Sequence, residues 1–461
     1  MLANLDKKSI LSNLSNSILR FEKMLKTNTV YYFDSTEFIL ISHHYIDQAN
    51  YSLAEKSIKM GLDQHPNNTD LMLLNSELLI FNSNYEDAYE ILNYLENINP
   101  ENREVYLQKA TIFSKNNHSE EAIAILKKAL QFIDDKVDIW NMIAMEFLLI
   151  EDFNSAIPFF KKCLDYDNED YQSLYNLIFC YENLGMIEES ISELSLVLEK
   201  RPYSKIAWHQ LGKIYKKKQK FKESISAFDF AIISDDQFVS AYVEKAKVLV
   251  KVGKLNEAID NFRLSIELSE PNSYVYYRIA KCFKQLNNKK LFLDYIKKSV
   301  REEPGNEKAW TCLIKYYLKK KNYRQSKYLC SRALENNHNS IKILQLISII
   351  HYRTKCYEDA IKSYNQIIDF KENISWQIWK GYIKCLIGAE SWSELLKVSL
   401  KAKKHYPNKA FIDFTISGCL LKHGKINEAI YFFQSGNKVC DVPNKLIESF
   451  PEFTENKTLL V

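Results

Sequence analysis

Glycine and proline are scarce in this chain. Ten glycines and nine prolines occur among 461 residues, about a third of average usage. Collagen-like, linker-dominated and many-stranded architectures all need these turn-forming residues, so the composition excludes them. Because 46% of the residues are hydrophobic and 26% are charged, we expect a folded core rather than disorder. The composition therefore favours helices joined by short connections.

Signals for export or membrane insertion are also missing. Residues 1–26 intersperse charges among apolar side chains and so lack the apolar core of a signal peptide. No uncharged apolar run is long enough to span a bilayer. The nine cysteines contain no C-x-x-C pair, which is typical of a reduced compartment. We therefore expect a soluble, cytoplasmic protein.

The sequence lacks recognisable catalytic motifs. It contains neither G-x-G-x-x-G nor G-x-x-x-x-G-K-[ST], and neither H-E-x-x-H nor G-x-S-x-G. His43 and His44 are adjacent, but neighbours on a helix point about 100° apart, so they cannot chelate one metal ion. We therefore expect no enzyme activity, no cofactor and no metal site.

Charge is unevenly distributed along the chain. With 62 basic and 58 acidic residues, the net charge is +4. Residues 1–204 carry 17 basic and 32 acidic side chains, a net charge of −15, whereas residues 205–461 carry 45 and 26, a net charge of +19. This asymmetry indicates an acidic partner for the C-terminal half, or head-to-tail self-association.

A repeat of 34 residues runs through the chain. Four prolines share this phase: Pro66, Pro100, Pro202 and Pro304. Pro407 follows 103 residues after the last of them, so one residue is inserted. Three tryptophans share a second phase: Trp140, Trp208 and Trp310. This register divides residues 35–441 into twelve units, which start at 35, 69, 103, 137, 171, 205, 239, 273, 307, 341, 376 and 410. Residues 1–34 are left as an N-terminal capping helix, and residues 442–461 as a short C-terminal helix and tail.

The unit at 205–238 shows the pattern within a repeat. A stripe with the spacing i, i+3, i+4, i+7 predicts a first helix: Trp208, Leu211, Gly212 and Tyr215. A second stripe predicts a second helix: Ser224, Phe228 and Ala231. In other units the turn between the helices has a glycine suited to a left-handed C-cap: Gly185, Gly253 or Gly424. The phased prolines then end the second helix.

This pattern resembles the tetratricopeptide repeat (TPR), and the resemblance covers residues 35–441. It implies an all-α fold, a right-handed α-solenoid of about twelve helix-turn-helix repeats with terminal capping helices. Long uninterrupted TPR proteins of bacteria are similar. Phe292, Leu395 and Asp413 depart from the pattern, so we expect the units at 273, 376 and 410 to be looser. The tenth position of four units is a cysteine, which we expect to pack as a small buried side chain: Cys180, Cys282, Cys385 and Cys419.

The resemblance also implies a binding surface. First helices in this family line a concave groove that binds a peptide or a partner's helix. From residue 205 onward, basic residues recur at the ninth and thirteenth positions, one turn apart on the first helix. The candidate groove residues are Lys213, Lys247, Lys281, Lys315 and Lys384 at the ninth position, Lys217, Lys251, Lys319 and Arg353 at the thirteenth, and Tyr277 at the fifth. They predict that this half binds an acidic segment.

The lysine rows have two other interpretations. They are a solvated face with no partner, or the surface of an electrostatic, sequence-nonspecific nucleic-acid-binding solenoid.

An apolar alternative site lies nearer the N-terminus, where Met145 and Phe179 take the ninth position. We favour a non-enzymatic scaffold or adaptor that binds a protein or peptide partner and no membrane. Self-association is compatible with the uneven charge.

Overall fold

The computed structural model describes residues 2–27, 29–131, 136–167, 170–336, 339–370 and 374–455. These residues form 27 α-helices and no β-strand, which confirms the all-α class. The chain divides into two compact units, Met1–Ile214 and Tyr215–Val461. None of the helices in the described ranges is both long enough and apolar enough to cross a membrane.

The helices are short and follow one another closely. The first unit contains α1 (Leu2–Thr27), α2 (Ser35–Asp47), α3 (Tyr51–Gln64), α4 (Thr69–Phe81), α5 (Tyr85–Ile98), α6 (Arg103–Lys115), α7 (Ser119–Ala129), α8 (Val137–Leu149), α9 (Phe153–Tyr166), α10 (Tyr171–Leu184) and α11 (Ile187–Lys200). The boundary between the units falls within α12 (Lys205–Lys217).

The second unit continues in the same manner. It contains α13 (Phe221–Ser234), α14 (Val239–Val252), α15 (Leu255–Glu267), α16 (Ser273–Gln285), α17 (Lys289–Glu302), α18 (Glu307–Lys319), α19 (Tyr323–Asn336), α20 (Ile341–Arg353), α21 (Tyr357–Phe370), α22 (Trp376–Gly388), α23 (Trp392–His405), α24 (Ala410–Lys422), α25 (Ile426–Asn437), α26 (Asn444–Ser449) and α27 (Glu452–Glu455). From α2 to α25, even-numbered helices are the first helices of a pair and odd-numbered helices are the second.

Asparagine and aspartate side chains start many of the helices. The Asn68 Oδ1 accepts a hydrogen bond of 2.9 Å from the backbone N–H of Leu71 at the start of α4. Asp170 and Asn306 cap α10 and α18 in the same way. Such caps satisfy N–H groups that have no partner within the helix. These residues therefore fix where the helices begin.

The turn inside each of the twelve pairs has one residue with positive φ. Three of these residues are glycines: Gly185, Gly253 and Gly424. The other nine have a side chain: Ala49, Ser83, Asn117, Glu151, Gln219, Asn287, Lys321, Lys355 and Glu390. The left-handed C-cap expected at the glycines is confirmed, and it recurs at turns that have no glycine.

The phased prolines and aromatic residues contact each other through hydrogen bonds. Pro304 follows the end of α17 by two residues, and its carbonyl oxygen accepts a bond of 2.8 Å from the indole Nε1 of Trp310. Trp208 donates to the carbonyl of Pro202 at 2.7 Å. Each bond ties the end of one pair to the first helix of the next. These hydrogen bonds explain why the prolines and the tryptophans recur with the same 34-residue period.

The three residues that depart from the repeat pattern are buried, and the looseness of their units stays a prediction. Phe292 and Leu395 are buried, with 1% and 0% of their surface exposed. Asp413 is also buried, and the Lys403 Nζ lies 2.6 Å from its Oδ1. The irregular residues are therefore accommodated by apolar packing and by one ion pair.

The expected burial of four cysteines is confirmed. Cys180, Cys282, Cys385 and Cys419 are each at most 1% exposed. Burial raises the pKa of the Cys180 thiol to about 11 and that of the Cys385 thiol to about 12. These thiols remain protonated at neutral pH and pack as small apolar side chains.

Candidate partner-binding site

The candidate site is one side of the first helices in the second unit, and we call it the ninth-position face. It consists of the fifth, ninth and thirteenth residues of α14, α16, α18, α20, α22 and α24. A helix repeats every 3.6 residues, so these positions lie on the same side, one turn apart. Adjacent positions point elsewhere: Lys281 is exposed, whereas its neighbour Cys282 is buried.

Four cations on this face are exposed and have no acidic partner within the described part of the chain: Lys281, Lys315, Lys319 and Arg353. Lys315 and Lys319 lie one turn apart on α18. Lys251 is also exposed, and its Nζ lies 5.8 Å from the centre of the Phe221 ring. Lys384 is exposed on α22. The face therefore presents positive charge to solvent along several helices.

Lys247 differs from the other ninth-position lysines because it is half-buried and paired. Its Nζ donates to the Oε1 of Glu244 at 2.7 Å, and Lys216 donates to the other oxygen. Burial raises the pKa of Glu244, but the hydrogen bonds from Lys216 and Lys247 outweigh burial, and the pKa is lower than usual. The Glu244 carboxylate is thus charged at neutral pH and offsets part of the positive charge here.

The other three residues that the sequence predicted for the site, Lys213, Lys217 and Tyr277, differ from one another in position and burial. Lys213 belongs to the first unit and is half-buried, whereas Lys217 belongs to the second unit and is exposed, although both lie on α12. Tyr277 is half-buried on α16, and burial raises the pKa of its hydroxyl. Tyr277 therefore presents a neutral hydroxyl and part of its ring beside Lys281, four residues along the helix.

The ninth-position face of α24 is covered by the C-terminal segment, defined as residues 443–455. Leu446, Phe450 and Phe453 of this segment are 2%, 0% and 3% exposed. The rings of Trp392 and Phe450 lie 5.2 Å apart. The Lys422 Nζ, at the thirteenth position, donates to the Glu452 Oε1 at 2.8 Å. The C-terminal segment thus makes both apolar and charged contacts with this face.

From the sequence, we assigned residues 442–461 to a short C-terminal helix and tail and did not predict this contact. Residues 456–461 of that tail lie outside the described residues. A signal was nevertheless present in α24, AFIDFTISGCLLK, which has apolar residues on all sides. A helix without a polar side is expected to be covered on every side.

An apolar surface lies in the first unit, at the alternative site. Met145 and Phe179 are 40% and 51% exposed. The rings of Phe153 and Phe179 meet edge to face at 5.9 Å, and the Asn176 amide donates to the Met145 sulfur at 3.3 Å.

Within the described ranges, no three His, Cys, Asp or Glu side chains are grouped to hold a metal ion.

Family comparisons agree with this repeat architecture. Two family models described as tetratricopeptide repeat match the chain, one at residues 151–214 and the other at residues 104–135, 206–232 and 239–272. The tetratricopeptide repeat-containing protein trd-1 of Caenorhabditis elegans is 21% identical over 42% of this chain and 25% of its own length. The TPR repeat-containing protein MJ1428 of Methanocaldococcus jannaschii is 23% identical over 65% of this chain and 51% of its own length. The chain thus spans at most about half the length of these two relatives.

Other proteins are similar over part of the chain. Anaphase-promoting complex subunit 3 of Schizosaccharomyces pombe is 22% identical over 32% of this chain and 22% of its own length. A solved TPR fragment from Cytophaga hutchinsonii superposes with a TM-score of 0.41 and 16% identity, over 51% of this chain and 97% of that one. The TPR protein YrrB superposes with a TM-score of 0.33 and 15% identity, over 43% of this chain and 97% of that one. Together, the helix pairs and the matching repeat models show tetratricopeptide repeats within residues 104–135, 151–232 and 239–272 of the chain.

Proposed function

We propose that this chain is a scaffold for protein interactions and that its ninth-position face binds an acidic segment of a partner protein. Proteins built from these repeats generally serve as interaction scaffolds, and one relative is named as a subunit of the anaphase-promoting complex. The twelve helix pairs from α2 to α25 are, in this proposal, the twelve repeat units.

The exposed cations on α16, α18 and α20 are the observation that carries the proposal. Lys281, Lys315, Lys319 and Arg353 are exposed and pair with no carboxylate of the described residues. They lie in the half of the chain with a net charge of +19. Solvent-exposed charge pairs contribute about 0.2–1 kcal/mol each, so affinity for an acidic segment arises from several of them together.

Lys247 contributes less than these four residues. Glu244 already holds its ammonium group, so a partner's carboxylate would have to compete with an existing ion pair. Tyr277 adds apolar surface next to Lys281, which favours an acidic segment that also contains apolar side chains. The face therefore suits a mixed acidic and apolar peptide better than a purely charged polymer.

The proposal is tested by capturing partners from native cytosol with and without nuclease. The test variant reverses four charges on the face: Lys281→Glu, Lys315→Glu, Lys319→Glu and Arg353→Glu. The matched control reverses four exposed lysines on second helices: Lys290→Glu, Lys297→Glu, Lys362→Glu and Lys397→Glu. We expect only the face variant to lose the captured protein, with binding weaker by about 30-fold or more, as four exposed pairs imply.

Two outcomes would contradict the proposal. Equal loss in both variants would show that only the net charge matters. Loss of all captured proteins after nuclease treatment would favour the nucleic-acid-binding alternative. Binding to the wild type should also weaken as the salt concentration rises, because exposed charges are screened.

A further inference from the structure

Helix α24, the first helix of the twelfth pair, differs from the other first helices on the ninth-position face. On α16 and α18 the ninth residues are the exposed Lys281 and Lys315. On α24 the ninth residue is the buried Gly418, and the fifth residue, Phe414, is also buried. Phe414 packs against Phe433 of α25, whereas Phe450 of the C-terminal segment covers Gly418, so the ninth position of α24 already has an occupant.

Gly418 makes room for an aromatic ring. A Cβ atom at this position would lie 2.5 Å from the Phe450 ring carbons Cδ1 and Cγ. Such a distance is far below van der Waals contact, so only glycine allows Phe450 to approach the helix this closely. Leu446 and Phe453 flank this anchor with the spacing i, i+4, i+7, and Phe453 packs 5.4 Å from the Phe433 ring. Leu446 lies on α26, Phe450 directly follows that helix and Phe453 lies on α27, so the three side chains come from two short helices and not from one continuous helix.

The C-terminal segment also complements the charge of the face. It contains one lysine and three glutamates, and Glu452 pairs with Lys422 at the thirteenth position. The row that includes Lys319 and Arg353 thus already binds a carboxylate in this chain. The contact combines an aromatic anchor with a charged pair.

The C-terminal segment differs from the paired helices in two features, although its buried side chains join the same apolar cluster. Its two helices have six and four residues, too short for helices that are stable by themselves. An open pocket of about 360 Å³ separates it from α22, and Lys380, Lys384 and Phe411 are among its lining residues. The segment is therefore held by its contacts with the face, as a bound peptide is.

We propose that the C-terminal segment is a built-in ligand of the ninth-position face at α24, and that a partner segment of the same chemistry binds there by replacing it. That chemistry is a set of apolar side chains at i, i+4 and i+7 with an aromatic residue in the middle and a glutamate or aspartate beside it. The inference rests on the proposed function, because it names what the face recognises. It adds that the chain limits access to its own site.

The test makes the segment exchangeable without removing it. A protease site inserted between Cys440 and Pro443 in the full chain allows the link to be cut after folding. A fluorescent peptide of residues 443–455 is then added, and its anisotropy is measured. We expect saturable binding to the cleaved protein, at least tenfold tighter than to the same protein before cleavage.

Peptide variants and pocket variants check where the probe binds. A peptide with Phe450→Ala, or a scrambled peptide of the same composition, should bind at least tenfold more weakly. Gly418→Leu should abolish binding because the added side chain fills the space of the Phe450 ring. Gly305→Leu is the matched control, since a Cβ at Gly305 meets no atom within 4 Å, and it should leave binding unchanged.

Three results would overturn the inference. The first is equal binding before and after cleavage, and the second is loss of helical signal on cleavage, which would make the segment part of the core. The third is an uncleaved dimer that the peptide dissociates, which would assign the site to a second copy of the chain. If the peptide fails to exchange but the charge reversal on α16, α18 and α20 still abolishes partner capture, the proposed function stands without this inference.

Discussion

At the scale of single residues, hydrogen bonds between consecutive pairs explain why the repeat is visible in the sequence. Tyr106 occupies the position that tryptophan takes in other units, and its hydroxyl donates to the carbonyl oxygen of Pro100 at 2.8 Å. The carbonyl belongs to the residue that ends one pair, and the aromatic residue belongs to the next pair. Both residue types therefore recur together with one period.

Removing the Tyr106 hydroxyl should destabilise the first unit. Tyr106→Phe keeps the buried ring and leaves the Pro100 carbonyl without this donor. We expect a loss of about 1 kcal/mol in the free energy of unfolding, measured by urea denaturation. Tyr94→Phe, at a residue that is 50% exposed, is the control and should change stability by less than about 0.5 kcal/mol. Equal effects of the two substitutions would contradict a role for this bond.

His351 should make the stability of the second unit dependent on pH. Burial lowers the pKa of His351 below its usual 6.5, the nearby Lys327 lowers it further, and Asp359 opposes both. The unfolded chain then binds more protons than the folded chain at pH values between the two pKa values. Stability should therefore fall as the pH drops below 6.5.

Urea denaturation at about pH 7.5 and about pH 5.5 measures this effect. Wild type should lose more stability on acidification than His351→Gln, because glutamine does not titrate. An identical pH dependence of the two proteins would show that other groups dominate in this range.

At the scale of helices and turns, a positive-φ residue that has a side chain is a point of local strain. Left-handed backbone costs a residue with a Cβ roughly 1–2 kcal/mol, and nine of the twelve turns have such a residue. The chain nevertheless keeps this conformation at each turn, because the packing of the paired helices requires it. The scarcity of glycine, which we used to infer a helical protein, thus also leaves these turns strained.

Replacing one of these residues with glycine should stabilise the protein. Lys355, between α20 and α21, has φ 59° and is exposed. We expect Lys355→Gly to increase the free energy of unfolding by about 0.5–1 kcal/mol. The control Lys362→Gly, at an exposed position inside α21, should reduce it by about 1 kcal/mol. A loss of stability in both variants would show that the turn is not strained.

The helices could be predicted from the sequence because each pair repeats the same local contacts. The apolar stripes, the Pro304 position and the buried Cys282 all follow from residues within one or two units. Glu244 and Lys247 are three residues apart on α14, a spacing visible in the sequence. The contact between Lys216 and Glu244 could not be predicted, because it depends on which side chains of neighbouring helices meet. The C-terminal segment was missed for a related reason: Phe450 lies outside the repeat units, so the repeat register does not show that it packs on Gly418.

At the scale of the whole chain, stability should be local. In arrays of this kind each pair contacts its neighbours, so a defect spreads to adjacent pairs and not to distant ones. Phe453→Ala removes a side chain that packs against Phe433 of α25. We expect faster amide hydrogen exchange in α24 and α25 and no change in α4 to α9. A uniform increase along the chain would indicate a single cooperative unit.

The buried cysteine thiols can be used to detect which helices unfold locally. Cys163, Cys180, Cys282, Cys312, Cys330, Cys385 and Cys419 are buried, whereas Cys356 and Cys440 are exposed. Burial raises the pKa of the Cys330 and Cys419 thiols to about 12, so a thiol-specific alkylating reagent reacts with them only after local unfolding. Because the buried thiols lie on seven different helices, mass spectrometry of a brief alkylation in mild urea would report, helix by helix, the order in which the molecule unravels.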